Sequence, residues 1–427
     1  MTEEFLYYLW KNKLLIPDLF TTDNERIEII NAGNQNHDSG PDFFNSKIKI
    51  NETIWAGNIE MHINSSDWIK HNHSSDKAYD NVILHVVFNN DMAISSTTGE
   101  KIPTLEVKDK YDKLYYFKYK SLLQTKDWIP CASYIKNIDD FTVNIWLDRL
   151  LIERLERKSN EIEVKLALLN NDWNELFYRV LAKNFGFKTN SSPFEILAKT
   201  LKFEILLKHS DSILQLEALM YGQAGLLNEN IKDEYSEKLI AEYKFLAAKY
   251  NLNPMIGDVW KMMRMRPVNF PTIRISQFAQ LIHKTKHIFS KVVEIENLKQ
   301  MRKLFDLNTS EYWENHYVFG KESKAKEKNL GENAFELILI NTIVPVLFVY
   351  ANYVGNQQLK ERALNFLSEV KAEKNAIISR WINLGLKVDN AAQSQALITL
   401  KESYCSKKRC LDCNIGHKLI SRNAENF

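Results

Sequence analysis

The chain has 427 residues, 45% hydrophobic and 26% charged, which is the make-up of a folded protein of two or three domains and excludes a disordered or fibrous chain. Its 56 Lys and Arg stand against 54 Asp and Glu, so the net charge of +2 gives no global attraction to nucleic acid and any basic surface must be local. Four cysteines are too few for a scaffold built on disulfides.

Glu3 and Glu4 sit where a secretory signal would carry positive charge, so a cytoplasmic location is expected. An amphipathic helix, EEFLYYLWKNKLL, opens the chain and a short strand, IEIIN, follows. FFNSKIKI and TIWAGNIEMHI then read as two strands joined at Asn51-Glu52. Alternation along the second puts Ile59, Met61 and Ile63 on one face and Glu60 and His62 on the other. The hairpin would carry Asp42, at the mouth of its first strand, toward Glu60. SSDWIKHNH reads as a short helix capped by Ser65 or Ser66, and VILHVVF as a strand buried on both faces. The order is α-β-β-β-α-β.

Between Gly40 and Val87 lie Asp42, Glu60, His62, Asp67, His71, His73, Asp76, Asp80 and His85, with His37 just before them. Such crowding of acids and imidazoles marks a candidate site. His71 and His73 would diverge on a helix and converge on an extended segment. A transition-metal hydrolase using His62, His71, His73 and His85 is therefore one reading.

Pro41-Asp42, followed eighteen residues later by Glu60-x-His62, resembles the PD-(D/E)xK nuclease superfamily. The resemblance implies that Asp42 and Glu60 hold Mg²⁺ or Mn²⁺ and that position 62 takes the role of the family's lysine, here a histidine able to orient or deprotonate water. Lys47 or Lys49 on the neighbouring strand would steady the phosphate. Across nearly its whole length, in EFLYYLWKNKLL, SGPDFFNSKIKI, WAGNIEMHINSSDWIKHNHSSDKAYDNVILHVV and YCSKKRCLDCNIG, the chain is also similar to a bacterial family catalogued as a domain of unknown function, which implies no activity.

NDMAISSTTGEKIPTLEVKD suggests two further strands turning at Thr98-Gly99, and the α/β domain is expected to end near residue 130. From Ile138 the apolar spacing is helical through FTVNIWLDRLLIERLERKSNEIEVKLALL, PFEILAKTLKFEILLKH and the segments beyond. In WKMMRMRPVNFPTIRISQFAQLI, Pro271 can start a helix with Arg274 in its first turn. Arg264, Arg266 and Arg274 are the candidate nucleic-acid contacts, set against a purely structural role in ion pairs. The Lys321–Lys328 run reads as a solvated loop. FELILINTIVPVLFVYANYV, interrupted by Pro345, reads as a buried core helix rather than a membrane span.

Three of the four cysteines lie in the tail as Cys405-x4-Cys410-x2-Cys413, with His417 beyond and Cys131 alone near the expected boundary. Two closures fit: a Cys₃His zinc site with His417, or an iron–sulfur cluster with Cys131. Some nucleases of the superfamily just named pair one distant cysteine with a C-terminal trio, so that resemblance implies the cluster. The fold class expected is α+β: a mixed α/β domain over 1–130 with a restriction-endonuclease-like core, a helical domain over 131–400 and a Cys-rich metal-binding tail over 401–427. The leading function is metal-dependent hydrolysis of DNA or RNA, and the alternative is a non-catalytic scaffold with nucleic acid as a possible partner.

Overall fold

Helix α1 (Glu3–Lys11) is the element around which the N-terminal half packs, and its sequence buries two faces. Leu6 and Trp10, four residues apart, lie against the sheet, while Phe5, Tyr8 and Leu9 pack on the other side with Tyr111, Tyr119, Leu122, Cys410 and Ile420. Glu3 and Glu4 in the first turn and Lys11 in the last suit the helix dipole.

A computed structural model describes residues 1–227, 230 and 233–421. The protein is mixed α/β, an N-terminal sheet region followed by a helical one. It divides into one unit made of Met1–Trp146, Arg380–Leu386 and the tail from Thr399, and a second made of Leu147–Ser379 and Lys387–Ile398.

The sheet comprises β1 (Leu19–Phe20), β2 (Arg26–Asn31), β3 (Asn34–Gln35), β4 (Phe43–Ile50), β5 (Thr53–Asn64), β6 (Val82–Asn89) and β7 (Thr104–Glu106). Its order is β1-β2-β4-β5-β6-β7 with β3 beside β4. Pairing is antiparallel as far as β5 and parallel from β5 through β6 to β7. In β4 the buried phase changes between Phe43 and Ser46, because Asn45, at φ 57°, is an extra residue in a bulge. Phe43 thereby pairs with Ile59, which brings Asp42 to the end of the hairpin beside Glu60. Ile59 and Met61 face the core under α1, and β6 is buried along Val82–Val87, as its apolar run predicts.

Between β5 and β6 the expected helix shrinks to α2 (Asp67–Lys70). Neither serine caps it: Ser66 makes no side-chain cap bond, and Ser65 Oγ donates to Asp91. The hairpin expected at Thr98-Gly99 is reduced to a single bridge, Ser95 with Lys101, and only β7 joins the sheet, parallel to β6. Helix α3 (Lys113–Gln124) then covers the outer face of α1.

In the second unit the pattern read as one helix over 193–209 breaks at Leu201. The Tyr178 hydroxyl donates to the Leu201 carbonyl and the Phe203 amide donates to Glu175, so tertiary bonds override the local spacing. Glu332–Tyr353 is the described helix long and apolar enough to cross a membrane, and 78% of its most apolar window is buried. Its turn at Leu339–Ile343 widens to a π-helix just before Pro345, which has no amide to donate. Lys328, read as solvated, is buried, with its ammonium donating to the carbonyls of Trp313, Glu314 and Lys326.

Candidate metal centre

The hairpin register sets the first two groups of the site. The Asp42 amide donates to Glu60 Oε2 at 3.1 Å, and the Met61 amide donates to Asp42 Oδ2 at 2.9 Å. Each carboxylate is thus held by the other strand's backbone. Glu60 is buried and Asp42 half-buried. Burial raises both acids above the usual carboxylate range, and Glu60 raises Asp42 further by repulsion. Glu3 adds a like charge against both acids. A buried acidic pair of this kind has an obvious resolution in a cation.

The imidazoles come from three segments. His62 lies on β5 beyond Glu60, and His85 lies on β6 in register with Glu60. His71 ends α2, and His73 begins the next short turn. Between them Asn72 adopts the left-handed conformation, φ 61° and ψ 26°, so the segment is neither helical nor extended. That single residue turns both side chains to one side. Nitrogen atoms of His62, His71 and His73 lie within 4.8 Å of one another. His62 Nε2 faces His71 Nδ1 at 3.0 Å, and His62 Nδ1 faces His85 Nε2 at 2.8 Å. Glu60 Oε1 is 3.3 Å from His73 Nε2 and 3.6 Å from His62 Nε2. His73 Nε2 is buried without a hydrogen bond of good geometry. Burial lowers His62 and His85 to about 3, with neighbouring imidazoles adding to the effect, so both rings are neutral and ready to bind a metal.

Three neighbours escaped the sequence reading. Tyr7 and Glu3, on α1, act on Asp42, Tyr7 through a hydrogen bond. Tyr79 stacks on His73 with ring centroids 3.8 Å apart. Only the i, i+4 spacing of Glu3 and Tyr7 on the polar edge of α1 could have signalled the first two.

Other candidates fall outside this cluster. Lys47 and Lys49 pair with Ala56 and Ile54 toward the turn end of the hairpin, away from Asp42, and Lys49 binds Glu52. Asp67 is tied to the Asn64 amide and Lys70, Asp76 caps the turn at Ala78, and Asp80 accepts from Thr97. His37 is exposed. Pro271 does start a helix, Pro271–Thr285, with Arg274 in its first turn. Arg274 is buried, however, donating to Gln277, Leu330 and Asn269 over the Phe187 ring, so it is withdrawn from phosphate contact. Its partners are neutral acceptors rather than the acids anticipated. Arg264 and Arg266 are exposed.

The cysteines form a separate group within the first unit. Cys131, Cys405, Cys410 and Cys413 line one cavity with Leu122 and Pro130 among its walls. All four are free thiols. Burial raises every one of them, Cys410 to about 12 and Cys413 to about 11. His417 Nδ1 is engaged by the Tyr8 hydroxyl at 3.0 Å.

A family model described as Protein of unknown function (DUF2851) matches residues 3–376. Nothing among the curated proteins and nothing among the solved structures matches the chain.

Proposed function

The chain belongs to the family described as Protein of unknown function (DUF2851), so its activity has to be read from its residues, and we propose that it is a metal-dependent phosphodiesterase acting on nucleic acid. The observation that carries this reading is the meeting of Glu60 and Asp42 with three imidazoles whose nitrogens lie within 4.8 Å of one another. Imidazoles with one or two carboxylates suit Mn²⁺ better than Mg²⁺, which prefers oxygen donors and retained water. Glu60, His62, His71 and His73 would hold the ion. His85 would fix the tautomer of His62 by accepting from its Nδ1–H, the usual task of a group behind a ligating histidine.

When bound, the ion supplies Lewis-acid polarisation of a phosphoryl oxygen and of water. Asp42, at the half-buried mouth and oriented by Tyr7 and the Met61 amide, takes the proton from the attacking water. The water oxygen forms a bond to phosphorus as the bond to the leaving oxygen breaks. His71, exposed at the rim, leaves the site open on that side.

Nucleic acid is favoured as the substrate class by the resemblance of Pro41-Asp42 and Glu60-x-His62 to the PD-(D/E)xK superfamily. An opening helix, an antiparallel hairpin with the acidic pair at its mouth and a parallel strand after it support that reading. The test is cleavage of single- and double-stranded DNA and RNA by the full chain with Mn²⁺, beside Asp42→Ala and Glu60→Ala. Both variants should lose at least ~100-fold in rate. Cleavage that survives in both, or none by the wild type with Mn²⁺, Mg²⁺ or Zn²⁺, overturns the reading and leaves a non-catalytic scaffold.

A further inference from the structure

The cysteine cavity is independent of the acidic and histidine site, and we infer that Cys131, Cys405, Cys410 and Cys413 ligate an iron–sulfur cluster that pins the tail to the N-terminal sheet unit. Four thiols 274 and more residues apart in sequence, from Cys131 to the trio, share the walls of one apolar cavity. This closure takes Cys131 as the fourth ligand. His417, the other candidate, does not line this cavity.

Sulfur spacing separates a cluster from zinc. A tetrahedral zinc with Zn–S bonds of ~2.3 Å needs all four sulfurs within about 3.8 Å of one another. Among the described residues, no three of these sulfurs lie within 4.8 Å of one another. A cluster, with each thiolate on a different iron, needs this wider ring.

The C-terminal helix Asn414–Ser421 starts directly after Cys413 and fixes the end of the trio. Gly416 passes so close to Cys410 that a Cβ there would stand 2.0 Å from the Cys410 carbonyl oxygen, so the loop closes only around glycine.

The test is metal analysis of the full chain purified without air. Iron and acid-labile sulfide should be present in equal amounts, with the broad visible absorption of a cluster. Cys131→Ser should lose at least ~10-fold in bound iron, while His417→Ala keeps it. Stoichiometric zinc without iron or sulfide overturns the proposal, and so does full iron retention in Cys131→Ser. Should Cys131→Ser fail to fold, wild-type iron content and the His417→Ala result decide the matter. Asp42→Ala should leave the iron unchanged.

Discussion

Lys158 shows what a single half-buried charge does to this fold. Its ammonium donates to Asn341 Oδ1 at 3.2 Å, and burial, reinforced by Arg154, lowers its pKa to about 7 against an ordinary 10.5, although Glu373 opposes the shift. Below pH 7 the side chain is charged both folded and unfolded, and the fold bears the full desolvation cost. Between pH 7 and about 10.5 the folded form is already neutral, so stability rises with pH. Lys158→Met removes the group and should raise the melting temperature by a few degrees at pH 7. Its advantage should narrow toward pH 10, as followed by thermal unfolding across that range. An advantage that widens with pH would contradict the assignment. Sequence spacing placed Lys158 on a helix but could not reveal its burial, which depends on Asn341, 183 residues away. Asp42, Glu60 and His62 were legible because strand alternation and a single turn bring them together. Lys328 was misread, and Arg274 takes a structural role, for the opposite reason: buried carbonyls and amides, invisible in one sequence, accept their hydrogen bonds.

At the scale of elements, the segment after β5 decides whether the imidazoles meet. The sequence left two options for His71-x-His73, and the structure takes neither, because Asn72 alone leaves the right-handed region. Asparagine tolerates this conformation better than most residues, whereas alanine pays about 1–2 kcal/mol. Asn72→Ala should therefore weaken Mn²⁺ binding by about tenfold, while Asn72→Gly stays near wild type. Calorimetric titration of both variants reads this directly. Equal affinity in Asn72→Ala, with the fold intact by circular dichroism, would mean that the histidines converge without the turn. The bulge at Asn45 works in the same way on β4, resetting the phase so that Asp42 reaches Glu60. A sequence shows the asparagines but not which of them has a positive φ.

At the scale of the whole chain, the boundary expected near residue 130 has a testable consequence. The first unit draws on Met1–Trp146 and also on Arg380–Leu386 and the tail from Thr399. Apolar periodicity found its sheet, but pairings across nearly 300 residues leave no local signal. Trp128 packs edge-on against Trp381, Lys401 donates to the Trp128 carbonyl, and Ile420 and Cys410 complete the cluster on the outer face of α1. A fragment of residues 1–130 keeps the sheet core around Leu6, Trp10, Ile59 and Met61. It also bares Phe5, Tyr8 and Leu122, which are at most 3% exposed in the full chain. Trp381, in the Arg380–Leu386 segment, and Ile415 and Ile420, in the tail, are buried in the full chain and are lost from the fragment. At ~1.5–3 kcal/mol for each buried side chain, that loss is comparable with the ~5–15 kcal/mol that separates a folded domain from its unfolded chain. The fragment should accordingly bind a hydrophobic dye and be cut rapidly by protease within α3, whereas the full chain resists at the same protease concentration. A cooperative, protease-resistant 1–130 fragment would show that the tail merely rests on a domain that is already complete.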